Sequence, residues 1–362
     1  MLVHICCSVD SHFFLQKLQQ QFPNETLIGF FYDPNIHPIS EYQLRLLDVK
    51  RSCKKLSIPL HVGEYDFENW INAVRGLENE PEKGKRCLVC FDNRLEKTAL
   101  KALDIGEKTI TTTLLTSPKK SINSLQKSLL EIAQKYNLEI VAPDFRKNGG
   151  TTEQFAIAKK EMLYHQDYCG CIFALSTQRE QQHRLLDELC SPVVPKVLPS
   201  SIEERIALYE KVIECEEQGI EFKLVREKFL NYRLLRAWVK NSHQEIIPSY
   251  FLFYSQFKKE FTKGSIESIS HDVGILTKEE VRFIGIKTFN TMTNKSYKNV
   301  LELLLNPLSI EEEIDFRVKF FKSNFLSLTP VILLDSVEIG KYEIYALTKT
   351  YEDIRENLAL IR

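Results

Sequence analysis

The chain has 362 residues, 43% of them hydrophobic and 27% charged, a balance that builds buried cores and argues against disorder as the dominant state. Lys and Arg number 48 against 49 Asp and Glu, a net charge of −1, so any nucleic-acid partner must be held by a local patch. No run of about 18 apolar residues offers a membrane span. The first residues, Met-Leu-Val-His-Ile-Cys-Cys, lack the pattern of an export signal, so a cytoplasmic location is expected, where clustered thiols serve as metal ligands or redox groups more often than as structural disulfides.

In chain order, Leu2–Ile5 reads as a short buried strand. Asp10 or Ser11 could cap a helix running to about Gln21, with Phe13, Phe14 and Leu18 on one face. Leu27–Tyr32 is a second strand and Ser40–Leu56 a second helix. Pro59–Val62, Lys108–Leu115 and Glu139–Ala142 follow as strands, with a helix over Ser121–Tyr136. Strands separated by helix-length segments predict an α/β fold, a parallel sheet flanked by helices, whose ligands bind beyond the carboxyl ends of the strands. Residues 191–201 carry three prolines and read as a linker between a domain at 1–190 and an extension at 202–362. In that extension Ile202–Glu217 and Ile220–Lys240 read as helices. Phe283–Thr291, Pro330–Leu334 and Glu343–Thr348 read as strands or short helices, so the extension is mainly helical or α+β.

Six of the nine cysteines come in three close pairs: Cys6-Cys7, Cys87-x-x-Cys90 and Cys169-Gly-Cys171. The single Cys53, Cys190 and Cys215 read as small buried hydrophobes. Two thiolates two residues apart can reach one metal ion from a turn, and a central glycine permits the bend of a Cys-Gly-Cys. Six thiolates exceed the four of a tetrahedral zinc site. The surplus points to an iron–sulfur cluster, a second metal, or a redox-active pair able to form a disulfide bond. Asp10 is either the cap of its helix or an oxygen ligand beside the thiolates. Cys6-Cys7-Ser8-Val9-Asp10-Ser11 also resembles the Ser-Gly-Gly-x-Asp-Ser loop of ATP pyrophosphatases, with cysteines in place of the glycines that would admit phosphate. That likeness supports the layout (HUP-like) more than ATP binding.

A longer set of stretches resembles the QueH family of epoxyqueuosine reductases. They are His4-Ile5-Cys6-Cys7, Phe31-Tyr32-Asp33-Pro34-Asn35-Ile36-His37-Pro38, Glu41-Tyr42, and Tyr65-Asp66 with Trp70. Glu78–Phe91, Arg94-Leu95, Thr111–Pro118, Asp144-Phe145-Arg146 and Leu163–Cys171 continue in the family's order, together spanning about residues 4–175. The resemblance implies reduction of epoxyqueuosine to queuosine at the wobble position of tRNA, a 4Fe-4S cluster with an additional mononuclear iron, and an external electron donor. It implies Cys6, Cys7, Cys87, Cys90, Cys169 and Cys171 as thiolate ligands, leaving open which hold the cluster and which the iron, and Asp10 as an oxygen ligand. Asp10, Cys6 and Cys169 are thereby candidates for catalysis. Asn35, His37, Arg86, Thr113, Ser117 and Arg146 are candidates for holding substrate. Two departures stand out: many members carry a further cysteine where this chain has Asp10, and arginine is common where it has His165.

Other residues carry plainer readings. His4 sits on a buried strand and reads as a satisfied core histidine, Phe30, Phe31 and Tyr32 read as core, and Glu41 with Arg45 forms an i,i+4 pair. Lys50-Arg51 with Lys54-Lys55, Lys83-Lys85-Arg86, and Lys119-Lys120 are candidate phosphate contacts to tRNA. Two other functions compete: a zinc-stabilised RNA-binding module, and an ATP-dependent tRNA-thiolating enzyme.

Overall fold

Leu2, Val3, His4 and Ile5 are all fully buried, which makes β1 (Leu2–Ile5) a central strand covered on both faces. Its one polar side chain is satisfied: His4 Nδ1 lies 2.9 Å from Thr112 Oγ1 and Nε2 lies 3.1 Å from the Tyr32 carbonyl. The computed structural model describes residues 1–118, 120–189, 196–276 and 280–361.

The first unit holds Met1–Leu189, Arg205–Leu224 and the end of the chain from Leu358. Around β1 run α1 (Ser8–Gln21), β2 (Ile28–Phe31), α2 (Ile39–Lys55), β3 (Leu60–Val62), α3 (Phe67–Ala73) and α4 (Lys85–Ile105). Then come β4 (Thr109–Thr112), α5 (Ile122–Tyr136), β5 (Glu139–Ile140), α6 (Gly150–Lys160) and α7 (Ile172–Gln181). The five strands are parallel in the order β3-β2-β1-β4-β5, so the order reverses on either side of β1, the arrangement that opens a crevice at the carboxyl ends of the central strands. The strand expected over Lys108–Leu115 is shorter than its β-branched run, because Thr112 Oγ1 accepts from Leu114 N at 3.2 Å and turns the chain into a 3-10 helix over Thr113–Thr116.

The first helix begins at Ser8 with Cys7 as its N-cap, so the reading of Asp10 as the cap is corrected: it lies inside the first turn and bonds elsewhere. The Cys87-x-x-Cys90 pair sits not on a turn but at the start of α4.

Residues 191–195 of the expected linker, like Cys190 and Lys119, lie outside the described residues. Helix α8 (Ile202–Gln218) ends at Gly219, whose left-handed φ of 66° closes it. The helix expected over Ile220–Lys240 is instead the strand β6 (Phe222–Lys240). Its apolar spacing suits either period, but Ala237 and Val239 alternate into a core and its backbone pairs with β13 (Gly340–Leu360), about a hundred residues on.

The second unit contains the stretch up to Glu204 and Val225–Asn357. Between β6 and β13 it adds β7 (Ile246–Ile247), β8 (Tyr250–Phe251), β9 (Phe261–Ser270), β10 (Val273–Leu276), β11 (Arg282–Gly285), α9 (Ile286–Thr293), α10 (Val300–Leu305), α11 (Ile310–Phe321) and β12 (Val331–Leu334). The sheet order is β7-β6-β13-β9-β10-β11-β12-β8. One face of β11 and β12 packs on the helices through Ile284, Phe289, Phe316 and Leu333. The other contributes Phe283 and Ile332 to a core with Ile266, Tyr342 and Ile344. The extension is thus mixed sheet and helix.

Among the described residues no helix is long and apolar enough to cross a membrane. The eight described cysteines are all free, so no disulfide joins any of the three pairs.

Candidate metal centre

The three cysteine pairs come from distant parts of the chain to one end of the parallel sheet. Cys6 and Cys7 follow β1 directly, Cys87 and Cys90 open α4, and Cys169 and Cys171 precede α7. Gly170 makes the last placement possible. Its φ is 100°, its carbonyl accepts from His37 N at 2.9 Å, and a Cβ there would come within 2.8 Å of the Ile36 side chain. The Cys-Gly-Cys segment is thereby pressed onto the Asp33–Ile36 turn that follows β2.

Cys6, Cys87, Cys90, Cys169, Cys171 and Asp10 line one cavity of about 380 Å3. Cys7 lies behind, 1% exposed, with its Sγ 3.8 Å from Cys6 Sγ. Cys6 Sγ is also 3.9 Å from Asp10 Oδ2, and the ligand atoms of Cys6, Cys7 and Asp10 all lie within 4.8 Å of one another. A lone buried cysteine packs as a small hydrophobe, and Cys53 does so at 2% exposure. Thiols gathered from three segments around an open cavity form a donor set, although they also pack against core side chains. As a donor set, soft sulfurs with one hard carboxylate suit a thiolate-bound metal centre.

The charges around the thiols are consistent with that use. Cys169 is held well below the usual thiol range by its hydrogen bond with Cys171 and by nearby Lys120, against the effect of burial. Cys171 is pushed up by the same bond, Cys7 by its bond with Cys6 and by burial, and Cys90 by burial. Burial alone would lower Lys120, but the sulfurs of Cys169, Cys87 and Cys90 hold it above the ordinary lysine range. Its Nζ also lies 5.5 Å from the centre of the Phe91 ring. Lys120 therefore lines the cavity beside the thiols.

Asp10 is 6% exposed, and burial pushes its carboxyl up. Its Oδ1 accepts from Gln154 Nε2 at 2.7 Å, across 144 residues of sequence. Gln154, on α6, is a residue that no local pattern marks. A partner that orients a metal-binding carboxylate typically contributes 10–100-fold in metal affinity or activity. Gln154→Ala is expected to speed the loss of bound metal to a chelator by about that factor with an unchanged circular dichroism spectrum. Wild-type retention would show that Gln154 does not set Asp10.

A second buried network braces the Cys6-Cys7 loop. Asp48, fully buried on α2, accepts from Ser8 Oγ, from Tyr164 N at 2.7 Å and from Arg51 Nη1 at 2.8 Å. Arg51 also forks onto Glu216 of α8, at 2.8 and 2.6 Å, and caps the carbonyls of Glu161 and Met162. Lys54 pairs with Glu217 and Lys55 with Glu161. The Arg51, Lys54 and Lys55 cluster is thus engaged with carboxylates and is not a free phosphate patch.

The candidate substrate residues divide. Asn35, Arg86 and Ser117 line the cavity. Asn35 keeps Oδ1 buried and unpartnered, with Nδ2 3.4 Å from the Cys169 carbonyl. Arg86 Nη1 caps the carbonyls of Leu77, Glu78 and Glu80, and its Nε is buried without a partner. Thr113 Oγ1 lies 3.7 Å from Cys6 Sγ. His37 stacks on Phe67 at 4.9 Å, and burial lowers its pKa. Arg146 caps the carbonyls of Ser117 and Lys120 at 3.1 and 2.9 Å. His37 and Arg146 are not among the cavity's lining residues. Asp33, which is not among the expected site residues, pairs with Arg94, one of the two arginines flanking Cys87-x-x-Cys90, in the cavity wall, and Asp33 Oδ2 and Arg94 Nε are buried without partners. Asp33 lies inside the Phe31–Pro38 stretch that resembles the family, which is the signal the sequence offers for it.

A sequence profile of the family described as epoxyqueuosine reductase QueH matches residues 1–177. A Helicobacter pylori protein named epoxyqueuosine reductase QueH is 41% identical over 352 residues, covering 92% of this chain and 94% of that protein. A Thermotoga maritima protein of the same name is 35% identical over 184 residues, covering 50% of this chain and 93% of that protein. The solved structure of the U34-tRNA thiolase NcsA from Methanococcus maripaludis with its 4Fe-4S cluster aligns with 55% of this chain and 78% of its own, at 13% identity and a TM-score of 0.24, too distant to bear on the site.

Proposed function

Since this chain belongs to the QueH family of epoxyqueuosine reductases, we propose that it reduces the epoxide of epoxyqueuosine to the alkene of queuosine at the wobble position of tRNA. The observation that supports the reading is the convergence of five cysteines and Asp10 on one cavity at the carboxyl ends of the parallel strands, with Cys7 directly behind. Residues 1–190 would carry the chemistry, with Arg205–Leu224 and the end of the chain completing their unit and Val225–Asn357 added to it.

The reaction takes the epoxide, two electrons and two protons to the alkene and water. The electrons come from a donor outside the chain. A 4Fe-4S cluster with a neighbouring iron, held by Cys6, Cys7, Cys87, Cys90, Cys169, Cys171 and Asp10, would supply electrons singly and a Lewis acid for the departing oxygen.

The chain's own residues do the rest. Lys120 stays charged and balances the thiolates. Asn35 Oδ1 offers a buried acceptor to a polar edge of the substrate. Asp33 is the proton-bearing group: burial pushes its carboxyl up to about 6, although Arg94 and Arg45 pull it down, and its Oδ2 has no protein partner. Because Asp33 acts while protonated, wild-type turnover should fall as pH rises through about 6, and Asp33→Asn should be slow without that fall. A wild-type profile flat across that range would remove Asp33 from proton delivery.

The reading is tested on protein purified without air. About four to five irons and about four sulfides per chain are expected, with conversion of epoxyqueuosine to queuosine on tRNA when a reductant is added. One zinc per chain, no sulfide and no conversion would overturn it in favour of a zinc-stabilised module.

A further inference from the structure

The second unit carries another chemical surface, on the sheet face away from its core. In β6, Ala237 and Val239 turn inward, so Arg236, Trp238 and Lys240 fall on the opposite face. In β13, Tyr342, Ile344 and Ala346 turn inward and Glu343 and Tyr345 outward. In β9, Thr262 and Ile266 are buried, while Phe261 is 43% exposed and Lys263 is exposed. Register then sets these residues side by side, Tyr345 opposite Phe261 and Glu343 opposite Lys263.

Three rings from three strands meet there. Trp238 stacks on Tyr345 at 5.9 Å and 19° and meets Phe261 at 6.1 Å and 63°. Each ring carries a cation: Arg236 lies 5.7 Å from the centre of Tyr345, Lys240 lies 5.3 Å from Trp238, and Lys263 lies 5.0 Å from Phe261. Glu343, the carboxylate within the group, pairs with Lys263 at 2.7 Å, and Glu260 borders it 3.5 Å from the Tyr345 hydroxyl. A sheet face that only met water would carry threonine and mixed charges. This one spends three large aromatic side chains and keeps an excess of cations, in a chain whose overall charge is −1.

We propose that the face formed by Trp238, Tyr345 and Phe261 with Arg236, Lys240 and Lys263 binds single-stranded RNA, with bases against the rings and phosphates on the cations. Flat rings interleaved with cations are what unstacked bases on a phosphate chain recognise. An acidic peptide would use the cations but has no flat face for the rings. The RNA-binding property stands apart from the reductase reading; only its use, holding tRNA for the reaction, rests on that reading.

The test uses the full chain and a fluorescent, unmodified oligouridine, with an oligoglutamate peptide as comparator, followed by anisotropy against salt. Trp238→Ala should weaken oligouridine binding about tenfold. The double variant Arg236→Ala with Lys240→Ala, at exposed and half-exposed positions that leave the core untouched, should flatten the log–log salt dependence by about 1.4, or about 0.7 for each phosphate no longer neutralised. Variants that bind like wild type, a wild type that binds no RNA at low salt, or binding of the peptide alone would each overturn the proposal. The probe contains no epoxide, so these outcomes are independent of the iron content and turnover that decide the reductase reading.

Discussion

Alanine at both Cys87 and Cys90 is expected, on the proposed iron–sulfur reading, to strip the chain of most of its metal and to lower epoxide reduction about a hundredfold or more. The two thiols are what the start of α4 contributes to the cavity wall, and no other described cysteine lies on that helix. The fold should survive. Cys87 is half-buried, and α4 is anchored further along by fully buried Leu95, Ala99 and Ala102. The structural cost is about 2 kcal/mol, about 1 for each of the two substitutions. Cys53→Ala makes the matching control, since it removes a buried thiol that packs in the core away from the cavity. Iron and sulfide per chain, with a visible spectrum, are the measurement. A double variant that keeps wild-type iron would exclude these two cysteines as ligands, and loss of iron in the Cys53 variant would mean that any core substitution empties the site.

Asp48→Ala should strongly destabilise the first unit. It leaves the Arg51 guanidinium buried with only Glu216 to balance it, and it strips acceptors from Ser8 Oγ and Tyr164 N. Removing one partner of a buried ion pair costs about 3–5 kcal/mol. At roughly 2–4 °C per kcal/mol for a unit of this size, thermal unfolding followed by circular dichroism should shift down by about 6–20 °C. Asp48→Asn keeps an acceptor and should recover part of the loss. A shift of under about 2 °C for alanine would show that the network contributes little. Because Ser8 follows Cys7 directly, the alanine variant should also hold metal less well than its stability at the assay temperature alone would dictate.

The same network explains part of what the chain's local pattern leaves hidden. Arg51, Lys54 and Lys55 read locally as a basic cluster on a helix, yet their carboxylate partners include Glu161, Glu216 and Glu217, more than a hundred residues away. Lys120 reads as half of a lysine pair, and only the arrival of three cysteines from α4 and the α7 approach turns it inward. Gln154 has no motif at all, since its meaning lies in an Asp10 that the fold brings to it.

What local order does determine is considerable. Short strand-length runs separated by helix-length amphipathic segments specify the parallel sheet, because β1 and β2 are largely apolar on both faces and β4 is a β-branched run of threonines and Ile110, residues that suit strands between helices. The close cysteine pairs specify thiol chemistry, because two or three residues of spacing already put sulfurs within reach of one group. Tertiary structure alone decided that three such pairs share one cavity, that Asp10 faces Cys6 and does not cap its helix, and that Phe222–Lys240 is a strand. In that last segment the apolar spacing satisfies both periods, and the choice falls to β13, which supplies backbone partners from a hundred residues away. A pattern read a dozen residues at a time carries the periodicity of an element, while the partner that satisfies its hydrogen bonds and charges is set only when the chain closes on itself.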